Sequence, residues 1–139
     1  MSDIFLLVAA GGCRVALPVA QLEAVTDAGE IATLPVAEPA MVGVATVRGE
    51  TLPVISLARL LGAEASDDSG TFVLVDAGGT RICLAVEHAE TLSRGEVMPL
   101  PADGATPWAR AVLRDGEALV PLLDLEALAE RLAATGRAS

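Results

Sequence analysis

The chain has 139 residues, 53% of them apolar, and a formal net charge of −10, which fits one globular domain and excludes a disordered segment or a polyanion-binding module. Aromatics make up 2% of it (Phe5, Phe72 and Trp108, with no Tyr), so base-stacking platforms are excluded and the core must be built from Val, Leu, Ile and Ala. Cys13 and Cys83 are too few for a disulfide framework or a metal site, and read as two small buried side chains in a reducing compartment.

Ile4–Ala9 reads as a strand, Ala10–Gly12 as a Gly-rich turn and Arg14–Val19 as the returning strand of a hairpin. The run into Gly11-Gly12-Cys13 has a faint likeness to a lipoprotein cleavage site. It is preceded by Asp3 and by no Arg or Lys, its apolar run is short, and the same pattern recurs inside the chain, so a signal peptide is not expected. No stretch approaches the roughly 18 apolar residues of a membrane span, and the expectation is a soluble cytoplasmic protein. Leu22–Val25 is a further short strand, Asp27–Glu30 a turn, and Leu34-Pro35 with Glu38-Pro39 an extended connection.

Gly43–Leu57 is the most informative stretch. Thr46 and Val47 lead into Arg48-Gly49, and Thr51–Ile55 leaves as a β-branched apolar run. Arg48 is a poor first residue for a type I′ turn, so a type I turn with a Gly bulge, or a type II turn, is predicted. Either form leaves a guanidinium at the tip of an apolar hairpin. Ser56 is placed to cap a short helix, Leu57–Leu61, closed by Gly62. Ala63–Gly70 is a polar, acidic loop. The plan then repeats: Phe72–Val75, a Gly78-Gly79 turn, Arg81–Val86, a less regular stretch to Pro99, a loop over Pro101–Pro107, and a hairpin around Arg114-Asp115-Gly116. Asp124 caps a C-terminal helix to Ala134, with Leu125, Leu128 and Leu132 on one face. Pro53 and Pro121 lack an N–H and are expected at strand edges or starts.

The recurrence is literal. Leu7–Val19 aligns with Leu74–Val86 without a gap, and Leu7, Val8, Ala10, Gly11, Gly12, Arg14, Leu17 and Val19 each meet an identical residue. Gly49-Glu50-Thr51-Leu52 meets Gly116-Glu117-Ala118-Leu119 at the same spacing. Two similar units imply one fold made twice, and many short strands with Gly and Pro turns point to small barrels.

Catalytic chemistry is nearly absent. His88 is the single His, so zinc pairing and most nucleophilic dyads lack a partner. None of the six Ser residues sits in a Gly-x-Ser-x-Gly elbow, and the double-Gly turns lack the Lys of a phosphate loop. No catalytic residue, metal site or cofactor is predicted. A small hydrolase built on His88 with Cys13 or Cys83 is a remote alternative.

Leu17-Pro18-Val19, Leu34-Pro35, Gly43-Val44-Ala45-Thr46-Val47-Arg48-Gly49 and Pro53-Val54-Ile55-Ser56-Leu57 occur in this order. Together they resemble the CheW family, the coupling proteins of bacterial chemosensory arrays. The likeness spans about residues 4–132. It implies an all-β fold with short helices: two tandem five-stranded SH3-like barrels, the product of an internal duplication, and a C-terminal helix at 124–134. The expected division is one subunit over about 13–70, and a second over about 71–126 with the N-terminal strand 4–10. The resemblance also implies a non-catalytic adaptor, without cofactor, between the cytoplasmic tip of a methyl-accepting chemoreceptor and the regulatory domain of a CheA-type histidine kinase. Receptor contact would fall on Arg48 with Thr46, Val47 and Gly49. Kinase contact would fall on the strand Leu22-Glu23-Ala24-Val25. The family has Glu where this chain has Ala24, with Glu23 one place away and on the other strand face. Thr46 and Ser56 replace the family's Asn and Asp. These departures raise a second expectation, an adaptor of a secondary pathway that occupies array positions without activating the kinase.

Overall fold

The computed structural model describes residues 4–33, 41–61, 70–100 and 108–130. In chain order the elements are β1 (Phe5–Ala10), β2 (Cys13–Pro18), a 3₁₀ turn (Val19–Gln21), β3 (Leu22–Asp27), β4 (Met41–Val47), β5 (Glu50–Ser56) and α1 (Leu57–Leu60). Then come β6 (Thr71–Ala77), β7 (Thr80–Val86), β8 (His88–Ser93), β9 (Glu96–Met98), β10 (Ala109–Asp115) and β11 (Ala118–Leu123). A last helix, α2, runs over 125–130. The fold is all-β with short helices, as expected. Gly62, the acidic loop, both prolines of the 34–40 connection and the end of the predicted C-terminal helix lie outside the described residues.

Two sheets carry the strands, in the orders β8-β1-β2-β11-β10-β9 and β3-β6-β7-β5-β4. This sorting departs from the expected grouping of 13–70 against 71–126 with 4–10. The leading hairpin of the first repeat, β1–β2, joins the later strands of the second repeat. The leading hairpin of the second, β6–β7, joins β3, β4 and β5. Each exchanged hairpin docks in the same way: an antiparallel edge neighbour (β8 or β3) on one side and a parallel neighbour (β11 or β5) on the other.

The exchange follows from residue type. β1, β2, β6 and β7 are apolar on both faces, so both faces need cover. Leu6, Val8, Val15 and Leu17 face Val73, Val75, Ile82 and Leu84 in a seam shared by the two sheets, together with Leu57, Leu125 and Leu128 from the helices. The alternate residues fill the two separate interiors. Phe5, Leu7 and Ala16 pack with Leu113, Val120 and Leu122 in one, and Phe72, Leu74, Cys83 and Ala85 pack with Ala45, Leu52 and Val54 in the other.

The repeat extends to irregular detail. The register of β4 on β5 shifts between Met41 and Gly43, and that of β10 on β11 between Ala109 and Ala111. The β3–β6 pairing bulges at Glu23, and the β1–β8 pairing carries the matching irregularity beside Glu90. Among the described residues the two sheets differ by one strand, β9, whose counterpart in the smaller sheet is a single bridge, Ala32 to Val44. That bridge needs a glycine: a Cβ on Gly43, at φ 155, would lie 2.2 Å from the Ala32 carbonyl oxygen.

β8 and β9 fall in the stretch to Pro99 that reads as irregular in sequence. β8 is an exposed edge strand of mostly polar residues, so it lacks the alternation that announces a strand. Pro53 and Pro121 occupy interior strands rather than edges. Each sits one residue before parallel pairing begins, at Val54 and Leu122, where a missing N–H interrupts little. Ser56 caps α1 as expected, its Oγ accepting from the Arg59 N–H at 3.3 Å, and Asp124 caps α2 through the Ala127 N–H at 3.1 Å.

Candidate functional site

Four two-residue hairpin loops are described, and three of them begin with glycine: Gly11-Gly12, Gly78-Gly79 and Gly116-Glu117. The fourth is Arg48-Gly49. Arg48 has φ 55 and Gly49 φ 81, and Val47 pairs with Glu50 across them. Positive φ at both residues is a type I′ turn, which corrects the expectation of a type I or type II form. The right-handed twist of β4 and β5 favours the I′ geometry, and that preference overrides the local cost of placing Arg in it. Arg48 is the one non-Gly residue at positive φ among the described residues, at a cost of roughly 1–2 kcal/mol that its Gly counterparts escape.

No side-chain ion pair among the described residues accounts for an Arg in this conformation. Arg48 is exposed. Below it, Thr46 and Thr51 face each other across the hairpin with their hydroxyls 3.3 Å apart. Val47 packs against the interior that holds Ala45 and Leu52.

β3 is an edge strand, and its bulge decides which side chains it presents. Leu22 pairs with Val75 and packs on the seam; Ala24 pairs with Leu74 and packs into the barrel interior. Residues two apart would share a face on a regular strand, so Glu23 is the inserted residue that flips the alternation. Val25, beyond it, is 49% exposed. Ala24 is therefore a packing residue and not a vacant place on an exposed surface. Ala24→Glu is expected to destabilise the fold by about 1–3 kcal/mol, read as a lowered denaturation midpoint, because it presses a carboxylate against Phe72 and Leu74.

Glu23 is held by a residue that the sequence reading passed over. Arg81, on β7, makes a two-pronged pair with it: Nε to Oε1 at 2.9 Å and Nη2 to Oε2 at 3.0 Å. Its remaining nitrogen, Nη1, bonds the Glu50 carboxylate on β5. The hydrogen bond and charge of Glu23, reinforced by the charge of Glu50, hold the Arg81 guanidinium above its ordinary pKa. Glu23, Val47, Arg48, Glu50, Leu74 and Arg81 line one cleft of about 410 Å³. The structure thus brings Glu23 of the expected kinase set beside Val47 and Arg48 of the expected receptor set. Thr46 lies apart from these, on a groove of about 720 Å³ along β4 with Ile31, Ala32 and Val44. Arg81 did leave a trace in the sequence, since Arg14 and Arg81 are identical positions of the repeat.

The hydrolase alternative meets a sealed thiol. Cys83 is fully buried in a barrel interior, and desolvation pushes its thiol up to about 12. Cys13 is exposed at the start of β2, which corrects the expectation that both cysteines are buried. His88 is exposed and turned to Glu90, with Nε2 3.4 Å from Oε2. A thiol reagent at pH 8 is expected to label one cysteine rapidly and the second only on unfolding. Because the folded Cys83 binds its proton more tightly than the unfolded one, that stabilising share is whole below about pH 9. It is lost as pH rises towards 12, which alkaline denaturation would show as a falling midpoint absent from Cys83→Ala. Among the described residues no group of His, Cys, Asp and Glu is placed to hold a metal, and no helix is long and apolar enough to cross a membrane.

The CheW-like domain family matches residues 5–133 of the chain. No curated protein sequence matches it. Among solved structures, the scaffolding protein TtCheW from Thermoanaerobacter tengcongensis is similar in fold, with a TM-score of 0.78 over 88% of this chain and 89% of that one, at 18% identity. The two sheets are accordingly the pair of SH3-like barrels expected. With nearly its whole length inside the match, the chain belongs to the CheW-like domain family.

Proposed function

We propose that the chain is a non-catalytic adaptor of a bacterial chemosensory array, working in the cytoplasm beneath the inner membrane. It couples the cytoplasmic tip of a methyl-accepting chemoreceptor to the regulatory domain of a CheA-type histidine kinase. Arg48, Val47 and Gly49, with Thr46 at the hairpin's far side, form the receptor contact. Leu22, Glu23 and Val25 form the kinase contact, with Ala24 supporting the strand from inside.

The observation that carries this reading is Arg48. A solvated turn residue has no reason to keep a strained backbone where three counterpart turns use Gly, whereas a guanidinium aimed at a partner does. Supporting it, β3 is an edge strand among the described residues and carries an exposed Val25, the form that invites a neighbouring barrel.

The test is reconstitution. The purified protein is added to receptor-containing membranes with the kinase, and autophosphorylation is followed. A rise in kinase activity that requires both the protein and the receptor is the expected result. Binding to both partners without a rise would establish the second reading, an adaptor that holds array positions and leaves the kinase inactive. Failure to bind either partner would defeat both.

A further inference from the structure

The same clamp occurs twice. In the larger sheet Arg14, on β2, pairs with Glu90 at 2.8 Å and with Asp115 at 3.5 Å. In the smaller sheet Arg81, on β7, pairs with Glu23 and Glu50. Each clamp joins a bulge glutamate on an edge strand to an acid at the mouth of a hairpin, through an arginine on the returning strand of an exchanged hairpin. The hairpins they hold differ. Asp115 leads into Gly116-Glu117, a relaxed turn, while Glu50 follows the strained Arg48-Gly49.

All three side chains of the Arg81 clamp are at the surface, so its removal costs the core nothing. What it does fix is geometry. Glu23 is the residue that flips β3, and Glu50 pairs with Val47 directly beneath the Arg48 turn. A guanidinium can hold both carboxylates at once because its nitrogens are spread in a plane, which a point-like ammonium cannot do.

We propose that Arg81 is a positioning residue that ties the Arg48 turn to the β3 edge, so that occupancy of one surface changes affinity at the other. This rests on the assignment of those two surfaces to receptor and kinase. Coupling of this kind is reciprocal: whatever factor a receptor tip imposes on kinase affinity, the kinase domain imposes on receptor affinity. A partner at the Arg48 turn that draws Glu50 to itself alters the hold on Glu23 through one guanidinium.

The experiment has two arms, each on the full chain. In the first, the free protein is followed by amide NMR. Glu23→Gln is expected to move the Arg48 and Gly49 signals in the Arg81 protein and to leave them in place in Arg81→Met. Signals that ignore Glu23 in the Arg81 protein overturn the tie. In the second, affinity for a kinase regulatory domain is measured with and without a saturating soluble receptor-tip fragment. The unaltered protein is expected to show at least a fivefold difference. Arg81→Met and Arg81→Lys are expected to bring the ratio to about one. Arg14→Met removes the matching clamp and is expected to keep it. A ratio of one in the unaltered protein, an unchanged ratio in Arg81→Met, or equal loss in Arg14→Met overturns the proposal. If neither partner binds the unaltered protein, the assignment of the surfaces fails, and the tie within the fold is judged by the NMR arm alone.

Discussion

Arg48→Gly is expected to make the protein more stable and, on the adaptor reading proposed above, less able to bind a receptor tip. Glycine adopts positive φ without the Cβ penalty that Arg48 carries, and the gain of roughly 1–2 kcal/mol is partly offset by the freedom Gly has when unfolded. A net rise of about 0.5–1 kcal/mol follows, or roughly 2 °C in the thermal midpoint of a chain this size. Loss of a guanidinium that hydrogen-bonds a partner costs about 1.5–3 kcal/mol, so receptor-tip affinity should fall roughly 10–100-fold. Arg48→Glu should weaken binding further, while its thermal midpoint stays near that of the unaltered protein, since the side chain is exposed and the backbone strain is retained. The two readouts separate the claims. A midpoint unchanged or lowered by Gly would remove the strain, and affinity that survives both substitutions would remove the contact.

The largest loss of stability should come from Leu84→Ala. Leu84 is fully buried in the seam, pairs with Val73 on one side and Ile55 on the other, and packs against side chains of both sheets. Truncation leaves a cavity that neither sheet can close alone, at about 2–5 kcal/mol. The loss should be felt throughout the molecule. Trp108, the single Trp, packs on the same seam, so its fluorescence reports there while circular dichroism reports on all the strands. The two curves are expected to superimpose in denaturant for both the parent and the variant. Separate midpoints would show barrels that unfold independently.

How much of this could be read in advance depended on whether the signal was local. The apolar hairpins around Gly11-Gly12 and Gly78-Gly79 were plain, because their turns and strand runs sit in adjacent residues. The duplication was plain too, and with it the pairing of Ser56 and Asp124 as caps. The crossing of the leading hairpins was not, since pairing of β2 with β11 or β7 with β5 joins residues far apart in the chain. β8 was missed because an edge strand with one side in water loses the pattern that periodicity detects. At the candidate site, Arg48 stood out by position, but its turn was misjudged: local preference argues against Arg in a I′ turn, and strand twist prevails. Strict alternation along Leu22–Val25 assigned Glu23 and Ala24 to the wrong kind of surface, because a bulge is a property of two strands and is written in neither. Arg81 was visible as a repeated letter, and only the fold gives it two carboxylates to hold.

The crossed hairpins bear on how the two halves came to differ. One repeat by itself has a leading hairpin and the strands to complete someone else's, so a lone unit would close its sheets only by trading hairpins with a twin. In such a twin every change appears on both sides at once. Two units linked in one chain keep the trade without that constraint: one turn has glycine at Gly116 while the other has Arg48. A symmetric pair has two like faces, whereas a linked pair can offer unlike faces, as the adaptor proposed above would need.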